Sequence, residues 1–86
     1  MSDVIIQVVQ RNGKKSTTSV VGLAYDLDLK KIISHLKKTY KCNGFIANDP
    51  KLGEIITLTG DQRENVFKFL VDEQINKAGD ITIKGV

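Results

Sequence analysis

Apolar side chains recur along this chain with two different periods, and the switches between them mark the elements. Val4, Ile6 and Val8 alternate with Ile5, Gln7 and Val9, which predicts a strand from Val4 to Gln10. Arg11-Asn12-Gly13-Lys14-Lys15 follows, and Asn-Gly between β-rich runs predicts a hairpin, because both residues tolerate positive φ. Ser16 to Val21, with its hydroxyl residues and two valines, is the return strand. The period then changes. Leu29, Ile32, Ile33, Leu36 and Tyr40 fall at helical spacing behind Asp28, a residue suited to cap a helix N-terminus. Asn43-Gly44 reads as the turn that ends this helix.

Asn43 to Asn48 and Glu54 to Thr59 read as two further strands, joined by a tight turn that Pro50 and Gly53 bracket. Asp61 and Glu64 form a D-x-x-E capping pattern for a second helix, with Val66, Phe67, Leu70 and Val71 as its buried face and Gly79 just past its end. Ile81-Thr82-Ile83 alternates again as a short closing strand. The order is ββαββαβ. It predicts an α/β (α+β) two-layer sandwich over residues 1–86 as a single domain: a five-stranded antiparallel or mixed sheet with both helices packed on one face. Ile5, Val9 and Val21 then point away from the helices. Scattered apolar positions on a surface are ordinary, and a partner-binding patch is the alternative reading.

Size narrows what such a fold does. A chain of 86 residues buries roughly 60–65% of its unfolded surface, enough for one modest core and too little for a deep cleft. No apolar run reaches the roughly 18 residues of a membrane span, and Met1-Ser2-Asp3-Val4 lacks the basic and apolar segments of a secretion signal. Cys42 is the only cysteine, so no internal disulfide is available, which fits a reducing compartment. A cytoplasmic protein is expected. His35 is the only histidine, and one Cys with one His does not supply a transition-metal site. No metal and no cofactor are expected.

Catalysis finds little to work with. His35 falls on the polar flank of the first helix, where a solvated imidazole is the ordinary state. Cys42 reads as a small buried hydrophobe, although neighbouring Lys41 would favour its thiolate. Arg11-Asn12-Gly13 resembles the arginine and asparagine of an acylphosphatase-type phosphate loop, but it joins two strands and precedes no helix, so the N-terminal amide cradle is missing. The expectation is a non-enzyme.

Charge gives a positive signal. Residues 11–41 carry eight basic and two acidic side chains, a net +6, while the remainder carries five basic and eight acidic ones, a net −3. Lys30, Lys31, Lys37, Lys38 and Lys41 cluster across the first helix from its apolar stripe, and Arg11, Lys14 and Lys15 surround the hairpin tip. Eleven lysines against two arginines favour point-charge contacts with phosphate over bidentate reading of base edges. The aromatics are few (Tyr25, Tyr40, Phe45, Phe67 and Phe69), and most of them are better placed as core residues than as a stacking platform. The pattern points to folded RNA recognised through shape and phosphate position. A lysine face that is merely solvated, or a protein-binding module using the open sheet face, are the competing readings.

Gln10-Arg11-Asn12-Gly13-Lys14-Lys15, Asp28-Leu29-Lys30-Lys31-Ile32, Lys37-Lys38, Cys42-Asn43-Gly44, the Asp49-Pro50-Lys51-Leu52-Gly53 turn, Gly60-Asp61-Gln62-Arg63 and Ile83-Lys84-Gly85 stand in one order. In that order the sequence resembles the eukaryotic translation initiation factor one family, from about Val4 to Val86. The resemblance implies a non-enzymatic factor that binds small-subunit ribosomal RNA near the P site, promotes scanning and opposes premature accommodation of initiator tRNA. It implies proximity to that tRNA and to other initiation factors, and a monomer when free. By position, Arg11, Asn12, Gly13, Lys14 and Lys15 would be the loop on ribosomal RNA, and Lys30, Lys31, Lys37, Lys38 and Lys41 would be helix contacts. Asp49, Lys51 and Leu52 would face the tRNA, and Asp61 and Gln62 would bear on start-site stringency, Asp61 also serving as N-cap. Two departures stand out. Members usually carry a flexible acidic tail ahead of the first strand, where this sequence has three residues, so tail contacts are not carried over. Lys51 replaces a usually acidic residue, which implies weaker repulsion of tRNA phosphate and a less stringent gate. The alternative is an RNA-binding or protein-interaction module of the same fold acting in another step of translation.

Overall fold

Strands β1 (Val4–Asn12) and β2 (Lys15–Val21) form the first hairpin, helix α1 (Leu29–Tyr40) follows, and β3 (Gly44–Asp49) and β4 (Gly53–Thr59) form the second hairpin. Helix α2 (Arg63–Asp72) and a short 3-10 turn (Ala78–Asp80) then lead to β5 (Ile81–Lys84). The computed structural model describes residues 4–13, 15–23 and 26–85, with Arg11 and Asn12 described for their backbone alone. The strands lie in the order β3-β4-β2-β1-β5. Every neighbouring pair is antiparallel except β1 and β5, which run parallel, so the sheet is mixed, as the element order allows.

Both helices cover one face. Residues directly opposite one another in a sheet project to the same side, and Ile6, Val20, Ile56 and Ile46 form such a row across four strands. A second row runs Val8, Thr18, Leu58, Gly44. Ile32, Ile33 and Leu36 of α1 and Val66, Phe69 and Leu70 of α2 close over these rows as one core. The opposite face carries the row Phe45, Thr57, Ser19, Gln7, Lys84, with Ile5, Val9 and Val21 on the same side, as expected. Val9 and Phe45 are exposed there, at 41% and 57%, so Phe45 is not one of the aromatics placed in the core.

Four local expectations need correction. The first hairpin is tighter than its sequence implies: β1 continues to Asn12, which pairs with Lys15, and a register shift between Gln10 and Asn12 leaves Arg11 at a bulge. Gly13 stands in the turn at φ +54°, the left-handed conformation such turns require; Lys14 lies outside the described residues. Second, α1 does not end at Asn43-Gly44. Lys41 takes the left-handed conformation (φ 51°, ψ 49°), and the amides of Lys41 and Cys42 both return to the Lys37 carbonyl. Gly44 is already in β3 and is needed for closeness, since a β-carbon there would lie 2.7 Å from Leu58 Cδ2 and 2.8 Å from the Thr57 carbonyl oxygen. Third, Asp61 is not the N-cap of α2: the cap position is Gln62 and it makes no side-chain capping bond. Fourth, Phe69 replaces Phe67 and Val71 in the fully buried set, because the helix turns Val66, Phe69 and Leu70 toward the sheet. Asp28 behaves as expected, its carboxylate accepting from the Lys31 amide at 3.2 Å.

Candidate nucleic-acid interface

The two basic elements meet at one end of the sheet. β2 begins beside the hairpin turn, and Ser16 accepts from the Gly60 amide at 2.8 Å just beyond the end of β4. The Thr59 amide next to it donates to the Asn43 carbonyl at 2.8 Å, and Asn43 follows the last turn of α1 by only a few residues. The hairpin base, the C-terminal end of α1 and the entry to α2 therefore share one edge of the molecule. Lys37 and Lys38 in the last turn of α1 and Lys41 at its C-cap are all exposed at this end, where the helix dipole favours cations. Lys15 is exposed at the start of β2. Gly13 is exposed at the tip, and Gln10 Nε2 donates to its carbonyl, bracing the turn. Arg11 and Asn12 belong to the same hairpin, but their side chains, with Lys14, lie outside the described residues.

Lys30 and Lys31 are exposed on the first turn of α1, at least six residues and so roughly 10 Å before Lys37. They extend the ridge along the helix instead of joining the cluster at its end. The one ion pair among the described residues is Arg63–Asp61, so none of these lysines is neutralised by a described carboxylate.

Asp61 sits one residue before the α2 cap. Its carboxylate takes a fork from Arg63, with Nε at 2.8 Å and Nη2 at 2.6 Å, and accepts the Arg63 amide at 3.3 Å. The hydrogen bonds from Arg63 hold its carboxyl below the usual carboxylate range, burial opposing slightly. Gln62 is half-buried and its amide is satisfied from the sheet: it donates to Thr18 Oγ1 at 2.8 Å, and that hydroxyl donates to the Gly60 carbonyl at 2.7 Å. Sequence reasoning missed Thr18. Its one signal was a hydroxyl residue at a register position facing the core, where its neighbours are aliphatic. A shallow groove of about 430 Å³ runs beside this turn, lined by Asp61, Arg63, Glu64, Asn65 and Ile83. Its mixed charges and openness suit surface contact better than enclosure of a small molecule.

Asp49, Lys51 and Leu52 are elsewhere. They form the β3–β4 turn, at the opposite end of these strands and so ~17–20 Å from the cationic edge. Asp49 Oδ1 accepts from the amides of Lys51 and Leu52 at 2.8 and 3.0 Å, so this carboxylate shapes its own loop. Lys51 and Leu52 are exposed at the tip, Leu52 by 56%.

The remaining candidates for chemistry are His35 and Cys42. The His35 ring is exposed and lies 5.0 Å from the Phe69 ring, tilted by 36°. Burial pushes the Cys42 thiol up, outweighing a backbone hydrogen bond and the Lys37 charge, so the thiol is not activated by its lysine neighbours. Among the described residues no three His, Cys, Asp or Glu side chains come together in a way that holds a metal, and no helix is long and apolar enough to cross a membrane.

Comparison with known proteins identifies the lineage. The family described as translation initiation factor SUI1 matches residues 1–76. A protein translation factor SUI1 homolog of Salix bakko is 50% identical over 80 residues, covering 93% of this chain and 71% of that protein. Eukaryotic translation initiation factor 1 of Homo sapiens is 42% identical over the same share of the chain and 71% of its own length. The fold agrees with a solved structure, the C-terminal domain of human eIF2D, at a TM-score of 0.79 and 24% identity over 91% of this chain and 40% of that one. A SUI1 match over most of the chain, joined to relatives at this identity, places the protein in the SUI1 family of translation initiation factors.

Proposed function

We propose that the chain binds the small ribosomal subunit near its P site by gripping ribosomal RNA phosphates, promotes scanning, and opposes premature accommodation of initiator tRNA. The observation that supports this is the convergence of Lys15, Lys37, Lys38 and Lys41 on one edge with no described carboxylate against them. Lys30 and Lys31 continue that grip along α1. The Asp49–Gly53 turn, carrying Lys51 and Leu52 at the far end of the hairpin, is the part that reaches toward the tRNA. Asp61 and Gln62 bear on stringency at the cationic edge. On this reading the protein works in the cytoplasm beside other initiation factors, as one domain and a monomer when free, without catalysis or a cofactor.

Charge reversal tests the grip. A cation beside an anionic surface contributes about 1 kcal/mol and its reversal about twice that, so Lys37→Glu with Lys38→Glu is expected to weaken subunit binding by about 4 kcal/mol, on the order of a thousandfold. Far-UV circular dichroism should be unchanged, because both side chains are exposed. Undiminished binding would overturn the reading. Lys51→Glu tests the gate separately: in a reconstituted initiation system the ratio of UUG to AUG initiation should fall, since an acidic tip repels tRNA phosphate. An unchanged ratio would remove the charge argument for that loop.

A second reading, a protein-interaction module in another step of translation, draws on the exposure of Phe45 and Val9 on the open sheet face. It predicts binding to a protein partner that survives high salt and is lost in Phe45→Ser.

A further inference from the structure

Thr18 is the one residue through which the strand of the basic hairpin holds the turn before α2 on both sides. It is fully buried, at 0% exposure, and lies in the core row between Val8 and Leu58. Its hydroxyl is used in both directions, donating to the Gly60 carbonyl and accepting from the Gln62 amide. The backbone bond from the Gly60 amide to Ser16 lies beside it on the same strand. Asp61 is thus suspended between two residues tied to β2, and its side chain is locked by the Arg63 fork. The acidic group is exposed, and the tether, the Arg63 fork and the Arg63 amide fix where it stands at the edge that the hairpin base and the end of α1 share.

We propose that Thr18 is a positioning residue: it joins the phosphate-gripping hairpin and the Gly60-Asp61-Gln62 turn into one rigid unit, so that RNA bound at the hairpin sets the place of the Asp61 carboxylate. This rests on the subunit-binding reading given above. A rigidly placed carboxylate beside a cationic edge repels phosphate that arrives out of register, while a loosely tethered one swings aside. The hydroxyl therefore governs discrimination more than affinity. Valine at this position keeps the volume in the core and removes both bonds; serine keeps the hydroxyl.

The test compares Thr18→Val, Thr18→Ser and the parent chain for subunit affinity and for the ratio of UUG to AUG initiation. Thr18→Val is expected to raise that ratio about fivefold or more while subunit affinity falls less than threefold, and Thr18→Ser to stay near the parent. Asp61→Asn should raise the ratio similarly and add nothing in the Thr18→Val background. A Thr18→Val protein that discriminates like the parent, a Thr18→Ser protein as defective as Thr18→Val, or fully multiplicative effects of Thr18→Val and Asp61→Asn would each overturn the proposal. Should Thr18→Val not fold, amide hydrogen exchange in the parent decides: protection of the Gln62 amide, which donates to Thr18 Oγ1, equal to that of central β2 amides supports the tether, and loop-like exchange refutes it. The Lys37→Glu with Lys38→Glu protein separates the two levels, because loss of binding there with normal discrimination in Thr18→Val removes the tether alone.

Discussion

The absence of one β-carbon decides how closely the chain can return to the sheet after α1. At Gly44 the obstacle to a methyl group is partly the flexible end of Leu58 and partly the Thr57 carbonyl, which is backbone in the middle of the ladder and cannot yield. Gly44→Ala is therefore expected to destabilise the protein by about 2 kcal/mol, as overpacking does, with the urea midpoint lowered and the slope unchanged. At the same scale, Thr57 is buried on the otherwise open face, only 6% exposed, since strand neighbours on both sides crowd it. At Cys42 burial outweighs the opposing charge of Lys37. The raised pKa keeps the thiol neutral where a free cysteine would begin to ionise, so its contribution to stability is complete below the unfolded pKa and fades as pH rises toward the folded one. Asp61 works in the other sense: its lowered pKa contributes above the ordinary carboxylate range and is lost in acid, a small effect for so exposed a group.

Helix α1 shows both what was legible in the residues and what was not. Its start was readable because the capping bond is local, Asp28 to the Lys31 amide, and its length because Leu29 to Tyr40 keep one stripe. Its end was not, because the left-handed position fell on a lysine and the nearby glycine served close packing instead. For a lysine that conformation costs roughly 1 kcal/mol. Lys41→Gly is accordingly expected to raise stability by about 1 kcal/mol in thermal or chemical unfolding, while weakening subunit binding by removal of a cation. A gain in both would separate Lys41 from the RNA-facing edge. The entry to α2 was misread for a related reason. A D-x-x-E pattern is a local signal, whereas the group that satisfies the Gln62 amide comes from Thr18, 44 residues away in sequence. The burial of Val4, Ile6 and Val8 followed from alternation alone; the strand order and the tether did not, because periodicity carries no record of which distant strands become neighbours.

For the whole molecule, the polarity seen along the sequence becomes a division in space. The cationic edge and the β3–β4 turn lie at opposite ends of strands β3 and β4. The number of phosphates held is measurable from salt dependence. Four contacts, those of Lys15, Lys37, Lys38 and Lys41, give an affinity loss of roughly 150-fold between 50 and 200 mM salt, while eight, adding Arg11, Lys14, Lys30 and Lys31, give about twenty-thousandfold. Titration of subunit binding across that range should distinguish an edge grip from a grip that runs the length of α1, and a flat response would exclude both. The parallel pairing of β1 with β5 carries a different consequence, for assembly of the fold. Val4 lies beside Ile81, so β1 must wait for β5 to be made. Until then one flank of β1 is an uncovered template for foreign strands. A product truncated before Ile81 would keep both helices and four strands, yet it would be the species most prone to aggregate.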